Sequence, residues 1–132
     1  MERERMTNHA TQVPHVLVID DDAAIRDVVH LILADAGYTV TVARDGAAAL
    51  DVLRQAALLP DVMLLDLGMP LIDGRTFRRI VQGNPRWRTI PVVMISADLE
   101  VHTTAQAVGV AGVLPKPFTV PELLAAVERY AR

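Results

Sequence analysis

Hydrophobic positions along the chain fall into short apolar runs that alternate with segments of helical character. The runs have the β-rich, largely apolar composition of strands buried between other layers. The predicted strands are His15–Asp20, Tyr38–Ala43, Asp61–Asp66, Pro91–Ser96 and Ala111–Leu114. The segments after them have apolar residues at intervals of three and four, or the helix propensity of Ala and Leu. The predicted helices are Ala24–Leu33, Ala47–Ala57, Asp73–Val81, Leu99–Val108 (a weaker pattern) and Val120–Ala131.

Turn and capping residues mark several of these boundaries. Gly37 follows the first helix as a stop signal, and the pair Asp45-Gly46 is a turn signal before the second. Asp22 is the expected N-cap of the first helix, and Thr119 that of the last, with Pro121 in its first turn.

The five strand–helix alternations predict an α/β fold, a doubly wound parallel sheet with helices on both faces and right-handed crossovers. A chain of 132 residues suits one domain. We predict a flexible N-terminal tail over residues 1–13 and a single domain over residues 14–132. On the third helix, Arg75, Arg78 and Arg79 are expected to face water.

Composition narrows the functional classes. The chain is 52% hydrophobic and 22% charged, which favours a globular core over disorder. It has no cysteine, which excludes disulfide and thiolate chemistry. The net charge of −3 gives no indication of direct nucleic-acid binding. The sequence shows neither a bilayer-spanning apolar run nor a secretory signal, so we expect a cytoplasmic protein without membrane insertion.

Acidic residues collect at the carboxyl ends of two predicted strands. Asp20, Asp21 and Asp22 follow the first strand, and Asp66 ends the third. In an open α/β sheet, ligands bind beyond these carboxyl ends. If the two strands are neighbours, the carboxylates converge, and their repulsion calls for a cation. Hard oxygen ligands suit Mg²⁺, with Mn²⁺ as an alternative.

A hydroxyl group and an ammonium group are expected at the same edge of the sheet. Ser96 ends the fourth predicted strand, and Lys116 follows the fifth. Alone, the serine would be read as a helix cap and the lysine as a surface residue. Acids, a metal ion, a hydroxyl and an ammonium together are what a site that accepts a phosphoryl group requires.

The motifs of the chain, taken in order, carry a family resemblance. They are Val16–Arg26 (VLVIDDDAAIR), Gly37–Val40 (GYTV), Ala43–Leu50 (ARDGAAAL), Pro60–Pro70 (PDVMLLDLGMP) with Asp73-Gly74, Ile90–Ala97 (IPVVMISA) and Lys116–Phe118 (KPF). Together they resemble the response-regulator receiver family of two-component signalling, from Val16 to about Tyr130. The resemblance implies a flavodoxin-like or CheY-like three-layer sandwich with a five-stranded parallel sheet in the order 2-1-3-4-5.

The resemblance also implies a phosphoacceptor and a metal site. Asp66 matches the family's phosphorylated aspartate and also a metal ligand. Asp21 matches the direct Mg²⁺ ligand, and Asp20 matches its partner, which in the family often acts through water. The backbone carbonyl of Gly68 matches a further metal oxygen.

The remaining family positions concern the response to phosphorylation. Ser96, with Ala97 beside it, and Lys116 match the phosphoryl-binding and switch residues. The family's Lys-Pro bond is typically cis, so the resemblance implies a cis bond between Lys116 and Pro117, at an X-Pro position where cis bonds are tolerated. Val113 stands where many relatives carry the aromatic switch residue, so the chain departs from the family there.

The function implied is a phosphorylation switch. Asp66 receives a phosphoryl group from a sensor histidine kinase or a histidine phosphotransfer protein, and an unidentified downstream effector reads the changed surface. The chain catalyses its own phosphoryl transfer and slow hydrolysis of the aspartyl phosphate, and is otherwise no enzyme. A monomer or a phosphorylation-dependent dimer is expected. Ile25 and Val28 are our hypothesis for part of the kinase contact.

Two other functions deserve comparison. A receiver-like interaction module without phosphorylation is supported by Val113 and by a short segment between Ser96 and Lys116. A hydrolase of the haloacid-dehalogenase type needs a second aspartate two residues after the nucleophile, and Gly68 stands there instead. The histidines lack metal-ligand spacing and are expected in surface or capping roles. They are His9, His15, His30 and His102.

Overall fold

The structure, a computed structural model, describes residues 13–66, 74–97 and 110–131. Its strands are β1 (His15–Ile19), β2 (Thr39–Ala43), β3 (Val62–Asp66), β4 (Val92–Ser96) and β5 (Gly112–Pro115). Its helices are α1 (Ala23–Asp35), α2 (Gly46–Gln55), α3 (Gly74–Gln82) and α4 (Val120–Tyr130). These boundaries lie within two residues of the predicted ones. The predicted helix Leu99–Val108 lies outside the described residues.

All five strands pair in parallel in the order β2-β1-β3-β4-β5, which confirms the expected topology. The central strands β3 and β4 are buried along their whole length, as their continuous apolar sequence requires. Because β1 lies between β2 and β3, the carboxyl end of β1 adjoins that of β3. Likewise β4 adjoins β5, with Ser96 opposite Pro115.

Successive strand residues point to opposite faces of the sheet, and each face packs into its own hydrophobic core. Leu17, Met63 and Met94 point to the first face, together with residues of α2 and α3 such as Leu53 and Phe77. The second face is formed by the intervening strand residues, packed against α1 and α4. Its fully buried members include Val16, Leu64, Leu33 and Leu123. The result is the three-layer sandwich expected from the sequence.

Local interactions at the helix ends agree with the predicted caps. The Asp22 carboxylate accepts hydrogen bonds from the amides of Ala24 and Ile25. Thr119 and Glu122 form a reciprocal capping box. Gly37 adopts a φ of 100° after α1, a conformation that favours glycine.

The expectation that Arg78 faces water is wrong. Its side chain is only 6% exposed, and burial lowers the pKa of its guanidinium. Arg78 adjoins Phe77 at the flank of the apolar stripe of α3, and a stripe wide enough to pack on a sheet includes such flanking positions. Its aliphatic stem can line that stripe. Arg79 is exposed as expected, and the Arg75 side chain lies outside the description.

Among the described residues, no helix combines the length and apolar composition needed to cross a bilayer.

Candidate functional site

Three carboxylates meet at the edge of the sheet where β1 and β3 end. Asp20 directly follows β1, Asp21 comes next, and Asp66 is the last residue of β3. One carboxylate oxygen from each lies within 4.8 Å of the others. Asp20 and Asp66 are buried, whereas Asp21 is exposed. Converging carboxylate oxygens, one of them open to solvent, fit a hard divalent cation that keeps water ligands.

The Asp20 carboxylate is held in a charged, partly dehydrated environment. Its Oδ1 accepts a 2.9 Å hydrogen bond from the Asp22 amide. Burial raises the pKa of Asp20 above its usual value, and the nearby Asp66 raises it further. The Asp22 amide and the positive charge of Lys116 act in the opposite direction. Dehydration and a like charge both disfavour the ionised carboxylate, and a cation bound beside Asp20 would oppose both effects.

Lys116, which directly follows β5, places a positive charge beside the acidic cluster. Its Nζ lies 3.9 Å from Asp66 Oδ1 and 4.0 Å from Asp20 Oδ2. The Lys116 amide donates a 2.9 Å hydrogen bond to the Ser96 carbonyl, which ties the segment after β5 to the end of β4. The bond between Lys116 and Pro117 is cis.

The other predicted site residues take different positions. Ser96 is buried at the end of β4, and Ala97 is exposed just beyond it. Val113 on β5 is half-buried and packs against the core that α2 and α3 cover. Gly68 lies outside the described residues. The structure thus brings Asp20, Asp21, Asp66 and Lys116 together, with Ser96 on the adjoining strand.

One contact of the site was missed by the sequence interpretation. Arg26 Nη1 donates a 2.9 Å hydrogen bond to the backbone carbonyl of Asp20. Arg26 stands within the family motif quoted above, but spacing alone gives it no role. A usable signal was its place one helical turn after the N-cap Asp22, because helical side chains lean toward the N-terminus of their helix.

An apolar groove of about 500 Å³ lies beside the acidic cluster. It runs between α1 and the segment that leads from β5 into α4, and Lys116 lies at its wall. Its other walls include Ile25, Val28, Ile32, Pro117, Phe118 and Val120. We call it the α1 groove.

Known proteins resemble this chain in sequence. The profile of the response regulator receiver domain matches residues 16–128. The DNA-binding transcriptional regulator NtrC of Escherichia coli K12 is 41% identical over 117 residues, which are 86% of this chain and 24% of NtrC. The regulator RpaA of Synechocystis is 38% identical over 91% of this chain and 50% of RpaA. The chain therefore spans a quarter to a half of these relatives.

Solved structures agree with the sequence matches. The chemotaxis response regulator CheY4 of Vibrio cholerae superposes with a TM-score of 0.83 at 34% identity, over 90% of this chain and 99% of CheY4. The receiver domain of the Francisella response regulator 1452 gives a TM-score of 0.79 at 31% identity, over 89% and 96% of the two chains. Motifs, fold and relatives agree, and the chain belongs to the response-regulator receiver family.

Proposed function

We propose that the chain is a two-component switch in which Asp66 accepts a phosphoryl group from a phosphohistidine. The observation that carries the proposal is the position of the Asp66 carboxylate. It ends a buried strand, lies 3.9 Å from the Lys116 ammonium and shares a cluster with Asp20 and Asp21. A nucleophile with these neighbours suits phosphoryl transfer, where positioning and charge stabilisation supply most of the catalysis.

In the proposed reaction, a carboxylate oxygen of Asp66 attacks the phosphorus atom. The phosphorus–nitrogen bond breaks, and the electron pair leaves with the imidazole of the donor. The product is an acyl phosphate on Asp66. Lys116, already 3.9 Å from the attacking carboxylate, binds a phosphoryl oxygen as a point charge.

The carboxylates of Asp20, Asp21 and Asp66 would hold Mg²⁺ or Mn²⁺, joined by the Gly68 carbonyl, which lies outside the described residues. When bound, the ion supplies Lewis-acid stabilisation of the phosphoryl oxygens. The fit rests on the donor set, because three carboxylate oxygens within 4.8 Å of one another repel each other unless a cation separates them.

The output of the switch starts at Ser96. Its hydroxyl turns toward the phosphoryl group, with the exposed Ala97 beside it. The Ser96 carbonyl accepts the Lys116 amide, so a shift at the end of β4 is passed to the segment after β5. The surface of β5 and α4, including Val113, is then read by a downstream effector, either by a monomer or by a phosphorylation-dependent dimer.

The phosphoryl donor is a sensor histidine kinase or a histidine phosphotransfer protein, and we place its docking surface at the α1 groove. Val28 is 53% exposed there, and Ile25 is half-buried. Because Lys116 belongs both to this groove and to the acidic cluster, a donor seated on the groove brings its histidine close to Asp66. We place this reaction in the cytoplasm, with residues 14–132 as the domain and residues 1–13 as a tail.

Acetyl phosphate and Mg²⁺, with intact-mass measurement, test the proposal. The wild type is expected to gain the mass of one phosphoryl group, and Asp66→Asn is expected to gain none. Asp51→Asn is the matched control, since Asp51 is an exposed acid on α2, and it should gain the same mass as the wild type. If folded wild type gains no mass, the unphosphorylated interaction module becomes the better description.

A further inference from the structure

The side chain of Arg26 reaches back from α1 to the acidic loop. Its backbone amide donates to the Asp22 carbonyl at 2.9 Å, which places it one turn into the helix. Its Nη1 donates to the Asp20 carbonyl at 2.9 Å, six residues back along the chain. The helix geometry makes this reach natural, because side chains of a helix lean toward its N-terminus.

The acceptor of this hydrogen bond is a backbone carbonyl, so Arg26 takes up neither carboxylate oxygen of Asp20. Oδ1 accepts from the Asp22 amide, and Oδ2 faces Lys116 at 4.0 Å. The positive charge of Arg26 by itself repels a cation, so its contribution to cation binding must come from its hydrogen bond to the Asp20 carbonyl, which occupies no metal-binding oxygen. A charged donor also makes a stronger hydrogen bond than a neutral one.

Asp20 is consequently fixed from three directions. Its amide donates to the Ala43 carbonyl at 3.1 Å, its carboxylate accepts from Asp22, and its carbonyl accepts from Arg26. That carbonyl belongs to the peptide group shared with Asp21, so the Arg26 bond also sets the direction in which Asp21 leaves the strand. Outer contacts of this kind orient metal ligands.

We propose that Arg26 is a positioning residue that holds Asp20 and Asp21 in the arrangement that binds a divalent cation. The inference rests on the metal site of the proposed function and names a residue on which its affinity depends. Arg26 donates to a backbone carbonyl and not to a carboxylate of the cluster, so it acts through the Asp20 peptide.

The first test measures binding of Mn²⁺ alone, from the loss of the free-ion electron paramagnetic resonance signal. Arg26→Met is expected to weaken binding by roughly 10-fold, as for other residues that orient metal ligands. Arg26→Lys, which keeps the charge and can donate, is expected to lose less. Arg54→Met removes the same charge from an exposed α2 pair with Asp51 and should bind like the wild type.

The second test separates positioning from general damage. With acetyl phosphate as donor, the Mg²⁺ concentration for half-maximal phosphorylation of Arg26→Met should rise roughly 10-fold. The rate at saturating Mg²⁺ should stay near that of the wild type, because Arg26 does not touch the reacting atoms. Circular dichroism establishes that each variant is folded, and Arg26→Gln replaces Arg26→Met if the latter does not fold.

Three results would overturn the inference while leaving the proposed function intact. They are wild-type Mn²⁺ affinity in the neutral Arg26 variant, equal weakening in Arg54→Met, and a lower saturating rate at an unchanged half-saturating concentration. If wild type itself binds no Mn²⁺, the metal site of the proposed function fails, and this inference fails with it.

Discussion

The ring of Tyr130, at the end of α4, lies against the backbone of Gly112 on the edge strand β5. A Cβ atom at Gly112 would come within 2.9 Å of Cε2 and Oη of that ring. Because Gly112 has no side chain, the tyrosine ring can pack directly on its backbone. Glycine is common where another group approaches a strand closely. An aromatic ring thus contacts β5 next to Val113, although Val113 is not aromatic.

This contact predicts a coupled pair of substitutions. Gly112→Ala should force the Tyr130 ring off the strand and lower the free energy of unfolding by about 1 kcal/mol, the lower end of the usual cost of overpacking, because the ring is the far end of a half-buried side chain. In a Tyr130→Ala background the same change should cost much less, because the obstacle is gone. Urea denaturation of the four proteins measures the coupling.

Gly83→Ala is the control for this pair. A Cβ at Gly83 would meet only the carbonyls of Ile80 and Arg79, at 3.6 and 3.7 Å, which are ordinary contacts. It should therefore cost much less than Gly112→Ala. Equal costs of Gly112→Ala with and without the Tyr130 ring would show that the ring does not rest on this glycine.

Much of the fold and part of the site follow from the sequence pattern. Apolar runs and helical spacing mark the elements, and strand ends carry Asp20, Asp66 and Lys116. The pattern predicts that these three side chains lie at the same edge of a parallel sheet. Their convergence depends on which strands are neighbours, and that order came from the family resemblance and is confirmed by the structure.

Contacts that depend on side-chain reach were not predictable in the same way. Two such contacts are the hydrogen bond from Arg26 to the Asp20 carbonyl and the packing of the Tyr130 ring on Gly112. The sequence spacing of these residues follows no helix or strand period, so it does not predict that they meet. Arg78 is a case in which the prediction was wrong. This charged residue beside the apolar stripe of α3 was predicted to face water, and it is buried. Polarity identifies the centre of a helix face better than its flanks.

Asp22 is expected to act in stability rather than in chemistry, in contrast to the metal-binding role proposed for Asp20 and Asp21. Its carboxylate caps α1 through the amides of Ala24 and Ile25, and it is not one of the three clustered acids. Asp22→Ala should lower the free energy of unfolding by about 1 kcal/mol, the usual cost of a lost N-cap. Its backbone amide, which donates to Asp20, is retained, so Mn²⁺ affinity should stay close to that of the wild type. A large loss of Mn²⁺ affinity would instead make Asp22 part of the metal site.

His15 should make the stability of the protein fall in mild acid. Burial lowers the pKa of His15 from its usual 6.5, with Asp61 acting in the opposite direction. The unfolded chain therefore takes up the proton more readily, so stability present above pH 6.5 is lost as the pH falls through the lower folded pKa. Urea denaturation at about pH 7.5 and about pH 5.5 should show this loss, since histidine titrates in that range.

Two variants assign that loss to His15. His15→Gln cannot take up the proton but can still bond to the Thr41 hydroxyl, which His15 Nε2 contacts at 2.7 Å. It should show a smaller difference between the two pH values than the wild type. His30→Gln removes an exposed histidine of α1 and should keep the wild-type difference. An identical pH dependence in His15→Gln and wild type would contradict the assignment.

Asp20 should cost stability when no cation is bound, which is the thermodynamic counterpart of its proposed role as a metal ligand. Burial, and then the charge of Asp66, raise its pKa above the usual 3.8, so the contribution of this group to stability is present below pH 3.8 and is lost as the pH rises through the folded pKa. In EDTA near neutral pH, Asp20→Asn should therefore have a higher free energy of unfolding than the wild type, because its amide is uncharged and can still accept from the Asp22 amide.

The difference in the free energy of unfolding should close in acid and should shrink when Mg²⁺ is added, since a cation that binds only the folded state stabilises the wild type by mass action. Asp27→Asn, an exposed change on α1, should show neither effect. An Asp20→Asn variant less stable than wild type in EDTA would mean that the carboxylate strengthens the fold even without a cation.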